Sequence, residues 1–407
     1  MNLFDKLVEE ALRNQPKSSN LRPVVEKELL HHDILKTLNE NGILKDLTFM
    51  GGTALRACYG GIRLSEDLDF TAGKDFSRYS LSQVSDAITQ NIYKKYGFET
   101  TVSTPQKDSG NVYTWKIKII TRPKQKNLPA QRINIDICSL LSYERRPMLL
   151  INPYGVDMGT SGLIIQVQSL EEIYTDKIIA FALRPRIKYR DLWDIMWLKQ
   201  KGIVPKIELL PIKLKDRNCN IENFLDLVDG RMGSLKDTEN MEEFRQEMQR
   251  FLPQNHLSII AQKEILPMIA NLISETSTSL KFLLVKAAYV GDINLVKQLI
   301  DVGMDVNRQN PYDEKTALHW AGTYVGCGGY QYGILKLLLE AGADVNIRDK
   351  ENHTPLYYAA QNSMSVEAIR DLSARADYSN IKKALEAAQF GDMNDSRAEI
   401  VSYLSKL

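Results

Sequence analysis

The chain has 407 residues, 43% hydrophobic and 25% charged, which is ordinary for a globular protein of two or three domains. Its 52 basic and 51 acidic residues leave a formal net charge of +1. That excludes a polycation, so any nucleic-acid binding must use a local basic patch. Cys58, Cys138, Cys219 and Cys327 lie too far apart for metal-ligand spacing or a disulfide framework, which points to a reducing compartment. The five histidines form no zinc pattern. No apolar run of about 18 residues occurs, and the N-terminus lacks the apolar stretch of a secretory signal. No membrane span and a cytoplasmic location are expected, with secretion by a route that ignores N-terminal signals left open.

Residues 1–48 read as largely helical, with a break between Pro16 and Pro23. After the break, Val24, Val25, Leu29, Leu30, Ile34, Leu35 and Leu38 follow one helical face. Residues 47–72 hold a short apolar run, a glycine pair, a helical stretch and a second short run around Leu68 and Phe70. Residues 81–96 read as a helix. Residues 111–120 alternate and are rich in β formers, so they read as a strand. Residues 132–138 alternate too, with Ile133, Ile135 and Ile137 on one side and Asn134 and Asp136 on the other. Residues 169–200 and most of 205–275 read as helices. The small polar segment Ser274 to Ser279 reads as a linker.

The last part of the chain repeats. Gly303-Met304-Asp305-Val306-Asn307 recurs as Gly342-Ala343-Asp344-Val345-Asn346, and Thr316-Ala317-Leu318-His319 recurs as Thr354-Pro355-Leu356-Tyr357. These motifs resemble ankyrin repeats, whose period is about 33 residues, and the longer spacing here is assigned to an insertion around Gly326 to Tyr330. About three units are expected, with 381–407 as a capping helix pair. His319 and His353 read as hydrogen-bonded structural residues.

The segment Gly51-Gly52-Thr53-Ala54-Leu55, then Arg63-Leu64-Ser65-Glu66-Asp67-Leu68-Asp69-Phe70, carries the chemistry. On a strand Asp67 and Asp69 share a face, and two carboxylates held together repel unless a cation neutralises them. Oxygen ligands favour Mg²⁺, with Mn²⁺ as a substitute. Gly51 and Gly52 allow the backbone a close approach to phosphate at a helix N-terminus, and Thr53 and Ser65 add hydroxyl donors. Asp136, on the polar face of its strand, is the candidate third carboxylate of a two-metal site. The basic run Arg184, Arg186, Lys188 and Arg190 reads either as a phosphate-contacting patch or as a solvated helix connection. Lys116, Lys118, Arg122, Lys124, Lys126 and Arg132 add basic charge near the sheet. Tyr113 and Trp115 interleave with them, as base-stacking or as core residues.

These motifs resemble those of the AbiEii/AbiGii toxin nucleotidyltransferases of the polymerase-β-like superfamily over roughly residues 20–200. Lys177 on a helix and the later Arg190-Asp191-Leu192-Trp193-Asp194 also match that family's pattern. The resemblance implies an α+β fold: a transferase domain with a mixed sheet over 1–204, a helical region over 205–275, and an all-α ankyrin solenoid over 280–407. It implies Asp67, Asp69 and Asp136 as metal ligands, and Gly51, Gly52, Thr53, Ser65 and Lys177 as triphosphate contacts. Asp191 would orient Lys177 or assist the acceptor. The implied reaction is transfer of a nucleoside monophosphate from a triphosphate to a hydroxyl of RNA, first the 3′ end of tRNA, by a bacterial toxin. Two further readings are an effector that modifies a protein chosen by the ankyrin repeats, and a non-catalytic interaction protein. A protein partner on the repeats, antitoxin or host protein, is expected in each.

Overall fold

A computed structural model describes residues 2–74, 76, 82–105, 110–123, 129–235, 237–323, 331–390 and 395–407. Lys124, Lys126, Cys327 and the expected insertion at 326–330 lie outside them. The chain divides into two compact units: residues 1–206 with 231–273, and residues 207–230 with 274–407. No sequence signal marks the exchange of 207–230 and 231–273 between them.

The first unit opens with α1 (Leu3–Asn14), a 3₁₀ turn at Pro16–Leu21 and α2 (Arg22–Glu40), so the two prolines bracket the break. A β-strand, β1 (Thr48–Met50), runs directly into α3 (Gly51–Tyr59), and β2 (Leu68–Thr71) follows. Then come α4 (Ser82–Tyr96), β3 (Thr100–Ser103), β4 (Val112–Ile119), β5 (Gln131–Cys138), β6 (Arg145–Leu149) and β7 (Ile164–Gln168). Helices α5 (Leu170–Leu183) and α6 (Tyr189–Gln200) complete the motif-bearing part. The seven strands form one mixed sheet in the order β3-β4-β5-β2-β1-β7-β6, with β2–β5 and β1–β7 parallel and the other pairs antiparallel.

Alternation explains which face is covered. Ile133, Ile135, Ile137, Trp115, Ile117 and Ile119 are buried and join one core with the apolar residues of α1, α2 and α4. Trp115 therefore belongs to the core, and Tyr113 packs against it beside Phe76. The intervening residues of β4 and β5 point to the other face. That face carries the polar side chains that matter below.

Helices α7 (Leu210–Lys215), α8 (Ile221–Ser234), α9 (Thr238–Gln249), α10 (Leu257–Ile260) and α11 (Ile265–Lys281) follow. Helix α11 runs through Ser274 to Ser279, where a linker was expected. Its small polar residues are absorbed locally: Ser279 donates to the Glu275 carbonyl at 3.0 Å, and Ser277 donates to Asp229 at 3.2 Å. Buried Thr276, Ser277 and Leu280 continue the apolar face begun by Ile269 and Ile273. Among the described residues no single helix is long and apolar enough to cross a membrane.

Among the described residues of the rest of the second unit, four helix pairs follow: α12 (Leu283–Val290) with α13 (Ile293–Asp301), α14 (Ala317–Ala321) with α15 (Gln331–Glu340), α16 (Pro355–Gln361) with α17 (Val366–Ser373), and α18 (Tyr378–Gln389) with α19 (Asp395–Leu404). The repeated Asn307 and Asn346 clamp successive turns: each side-chain oxygen accepts from the next turn's backbone, at Asp344 (2.8 Å) and Asp377 (2.9 Å). His319 is fully buried; its Nδ1 accepts from the Thr316 amide at 3.1 Å and its Nε2 faces the His353 carbonyl at 3.2 Å. Burial holds its pKa down to about 4, so it stays neutral.

Candidate active site

A cleft enclosing about 700 Å³ of space open to solvent lies in the first unit. Its walls include Gly51, Gly52, Ser65, Asp67, Asp69, Asp136, Lys177 and Asp191. These residues come from β1–α3, the β2 loop, β5, α5 and α6, so the sheet and two helices converge on one space.

The carboxylates meet because of strand register. On parallel strands β2 and β5, Asp69 and Asp136 are direct partners. Asp67 precedes β2 by one residue, and its Oδ1 accepts from the Asn134 amide of β5 at 3.1 Å. Thr114, opposite Asp136 on β4, donates to its Oδ1 at 2.6 Å. Burial, then Asp136, push Asp69 up to about 6, with Lys177 opposing and Asp67 adding to the rise. Asp136 is also raised, by burial first and by Asp67, against the pull of Thr114, Lys188 and Lys116. The cleft therefore holds more acid than it can comfortably ionise.

The glycine pair explains how Asp69 and Arg63 fit. Gly51 has φ +74°, and a Cβ there would stand 2.6 Å from Asp69 Oδ2. A Cβ at Gly52 would collide with the Arg63 guanidinium. Each missing side chain thus makes room for a charged one, besides opening the N-terminus of α3 at the cleft wall. Thr53 does not line the cleft. Its buried hydroxyl donates to the Asp67 carbonyl and shares a 2.6 Å hydrogen bond with Ser65 Oγ, so it braces the Ser65–Asp67 loop. The buried Glu28 of α2 braces the same loop from behind, accepting from the Ser65 amide at 2.8 Å.

A buried ionic chain runs along the cleft wall. Arg63 grips Asp194 with two hydrogen bonds of 2.6 Å. Lys177 Nζ sits 2.8 Å from Asp194 and 2.6 Å from Asp191, which Arg184 also contacts. All of them except Arg184 are buried. Burial alone would raise Asp191, but Lys177 and Arg184 outweigh it and hold its pKa near 2. Asp194 is lowered against burial by Arg63 and Lys177. Both carboxylates stay ionised and fix the Lys177 ammonium at the cleft wall.

Arg184, Lys188 and Arg190 line the cleft too, whereas Arg186 is not among its lining residues. Lys188 is lowered by burial and by Arg184 and Arg190. Sequence reasoning gave Arg63 no role, because its partner Asp194 is 131 positions away. The available signals were its place at the head of the Arg63–Phe70 motif and its being an arginine in the otherwise uncharged stretch from Ala57 to Ser65.

Known families match two parts of the chain. The family model described as "Nucleotidyl transferase AbiEii toxin, Type IV TA system" matches residues 33–263. The ankyrin repeat model (three copies) matches residues 257–349 and 283–382. Ankyrin repeat domain-containing protein 40 of Mus musculus is 29% identical over 25% of this chain and 27% of its own. Ankyrin repeat-containing protein P1E11.10 of Schizosaccharomyces pombe is 32% identical over 29% and 54%. A putative ankyrin repeat protein of Rickettsia bellii is 36% identical over 24% and 51%. The chain thus spans from about a quarter to about half of the length of these relatives. The crystal structure of JHP933 from Helicobacter pylori matches with TM-score 0.34 and 19% identity, covering 64% of this chain and 97% of that one. With the transferase model spanning more than half of its residues, the chain belongs to the nucleotidyl transferase AbiEii toxin family of type IV toxin–antitoxin systems, and it carries ankyrin repeats beyond that domain.

Proposed function

We propose that the chain transfers a nucleoside monophosphate from a nucleoside triphosphate to a hydroxyl of RNA, first the 3′ end of tRNA, in a Mg²⁺-dependent reaction that makes it a toxin. The observation that carries this reading is the register of Asp69 opposite Asp136, with Asp67 beside them, in a cleft shared with a glycine turn and a fixed lysine. In the reaction the acceptor oxygen bonds to the α-phosphorus, the bond from that phosphorus to the α–β bridging oxygen breaks, pyrophosphate leaves with that oxygen, and the hydroxyl proton passes to solvent. Such in-line transfer rests mainly on positioning and charge neutralisation.

The donor set fits a hard divalent ion. It is all oxygen, and Asp69 is raised first by burial and then by Asp136 and Asp67, a balance that a bound cation would shift back toward the ionised form. Asp67, Asp69 and Asp136 would hold it. Bound there, the ion would neutralise the triphosphate and acidify the acceptor hydroxyl. The α3 amides at Gly51 and Gly52 orient phosphate oxygens, whereas the Ser65 proton goes to the Thr53 hydroxyl oxygen and braces the loop. Lys177, immobilised by Asp191 and Asp194, supplies fixed positive charge. Arg184, Lys188 and Arg190 add positive charge to the same walls.

This reading sets the protein to work in the cytoplasm, of the producing cell or, after export, of a host. The ankyrin unit favours one alternative, in which the acceptor is a protein bound on the repeats. Incubating the chain with each α-labelled triphosphate, Mg²⁺ and either total tRNA or lysate protein separates the two. Label in tRNA is expected. Label in protein alone would move the acceptor assignment to the repeats, and no label with any acceptor would overturn the transferase reading.

A further inference from the structure

The open face of the sheet beside the cleft carries three cations that the transfer chemistry leaves unused. In the β4–β5 register, Thr114 faces Asp136, Lys116 faces Asn134, and Lys118 faces Arg132. Residues at alternate positions share a face, and direct antiparallel partners share it too. Lys116, Lys118 and Arg132 therefore lie on the face of Asp136, opposite the buried isoleucines. Two features agree with this placement. Thr114 hydrogen-bonds Asp136 across the strands, and Lys116 acts electrostatically on that carboxylate. On the far side the face continues into Ser103 and Thr101 of β3, paired with Lys116 and Lys118.

All three cations are exposed, and none has an ion-pair partner among the described residues. Between Thr101 and the cleft the strip contains no acid: its neighbours are Thr101, Ser103 and Asn134, and exposed Glu99 stands beyond its far end. Lysine often blunts exposed sheet edges, but β4 and β5 are interior strands whose edges are already paired. Charge repulsion among like neighbours is therefore accepted here without a structural return.

The other space next to the cleft is different. The groove lined by Glu66, Lys188, Arg190, Glu243, Glu247 and Arg250 mixes three acids with three bases. Its charges are largely spent on each other and on nearby backbone: Arg250 reaches Glu66 at 3.8 Å, and Glu247 accepts from the Tyr189 amide at 3.1 Å. It offers a polyanion no net attraction.

We infer that Lys116, Lys118 and Arg132 form a track for the phosphate backbone of a nucleic-acid acceptor, leading its end across the open face of β4–β5 to the carboxylates at Asp136. The inference rests on the transferase reading for what happens at the end of the track, but not for the binding itself. Successive lysines on one strand stand roughly 6.8 Å apart, so they meet a flexible backbone at several points. The contacts are electrostatic and sequence-independent. Base stacking adds nothing here, since Trp115 is in the core.

The test uses the full chain and a fluorescein-labelled, mixed-sequence single-stranded oligoribonucleotide, with anisotropy read between about 50 and 200 mM salt. The triple variant K116Q/K118Q/R132Q is compared with K6Q/K45Q/K94Q, which removes the same charge from exposed lysines elsewhere. The track variant is expected to lose about tenfold or more in affinity, and its log–log salt slope to flatten by about 2, at roughly 0.7 per cation. The control variant and triphosphate binding by both variants are expected to stay within twofold of wild type. Equal losses in the two variants, or an unchanged slope in the track variant, would overturn the track. If the triple variant loses triphosphate binding, single charge reversals at Lys116 and at Lys118 are read the same way, and no change in either slope overturns the track. Strip-dependent binding without any transfer would leave the track standing and the transferase reading refuted. Transfer to lysate protein that ignores all three substitutions would do the reverse.

Discussion

The two units bury polar groups for opposite ends. In the repeat unit, buried His319, Thr316, Asp349 and Asn380 are closed within the turns that hold them: Asp349 accepts from the Tyr358 hydroxyl at 2.6 Å and from the Glu351 and His353 amides. In the transferase unit, buried Arg63, Lys177, Asp191 and Asp194 are paired, but Asp69 beside them stands against Asp136 and Asp67, with Lys177 and Arg190 offsetting them only in part, and faces a cleft. Satisfied polarity specifies a fold, whereas unsatisfied charge marks the place where a ligand is expected to complete the balance.

The comparison breaks most visibly at Asp69. Asp69→Ala is expected to reduce transfer by about 10³-fold or more, with far-ultraviolet circular dichroism unchanged. Activity within tenfold of wild type would remove Asp69 from the site. The next effect concerns the ionic chain. Arg63→Lys keeps the charge but loses the two-pronged grip on Asp194, so kcat should fall roughly 10–100-fold while KM for triphosphate changes less. A fall in KM-dependent terms alone would place Arg63 in binding rather than in positioning Lys177.

The pH dependence sharpens the same contrast. Asp69 in the folded protein has its pKa raised to about 6 from an ordinary 3.8, so its ionisation opposes folding. That penalty is full above about pH 6, fades as pH falls, and is gone below pH 3.8. In EDTA, Asp69→Asn should therefore melt higher than wild type at neutral pH, and the two should converge near pH 4. Equal melting temperatures at both pH values would mean that the carboxylate is not strained. The smallest expected effect on chemistry lies in the repeats. His319→Ala should cost the second unit about 1–3 kcal/mol by orphaning the Thr316 amide, with transfer to RNA per folded molecule unchanged.

Much of the transferase unit was legible where period and motif coincide. The alternation of β5 put Asp136 on the polar side, and the Asp67–Asp69 spacing brought two carboxylates together, although Asp67 stands one residue before β2 rather than on it. What periodicity could not give was partnership across the chain. Thr53 reads as a phosphate donor beside two glycines, yet its hydroxyl turns to Ser65 and the Asp67 carbonyl. Strand β6 contains Pro147 and is largely exposed at the end of the sheet, so it lacks the alternation that reveals β4 and β5. Helix α11 hides its continuity behind small polar residues, of which Ser279 bonds to the preceding turn and Ser277 to Asp229. The repeat unit was easier because its clamps recur: finding Asn307 predicts Asn346.

The claim that Asp67, Asp69 and Asp136 share one divalent ion is tested most directly by Mn²⁺ binding, followed by electron paramagnetic resonance with a triphosphate present. Wild type should bind Mn²⁺, and Asp69→Asn and Asp136→Asn should each weaken that binding by roughly 10–100-fold or more. Mn²⁺ affinity equal to wild type in both variants would contradict the shared site.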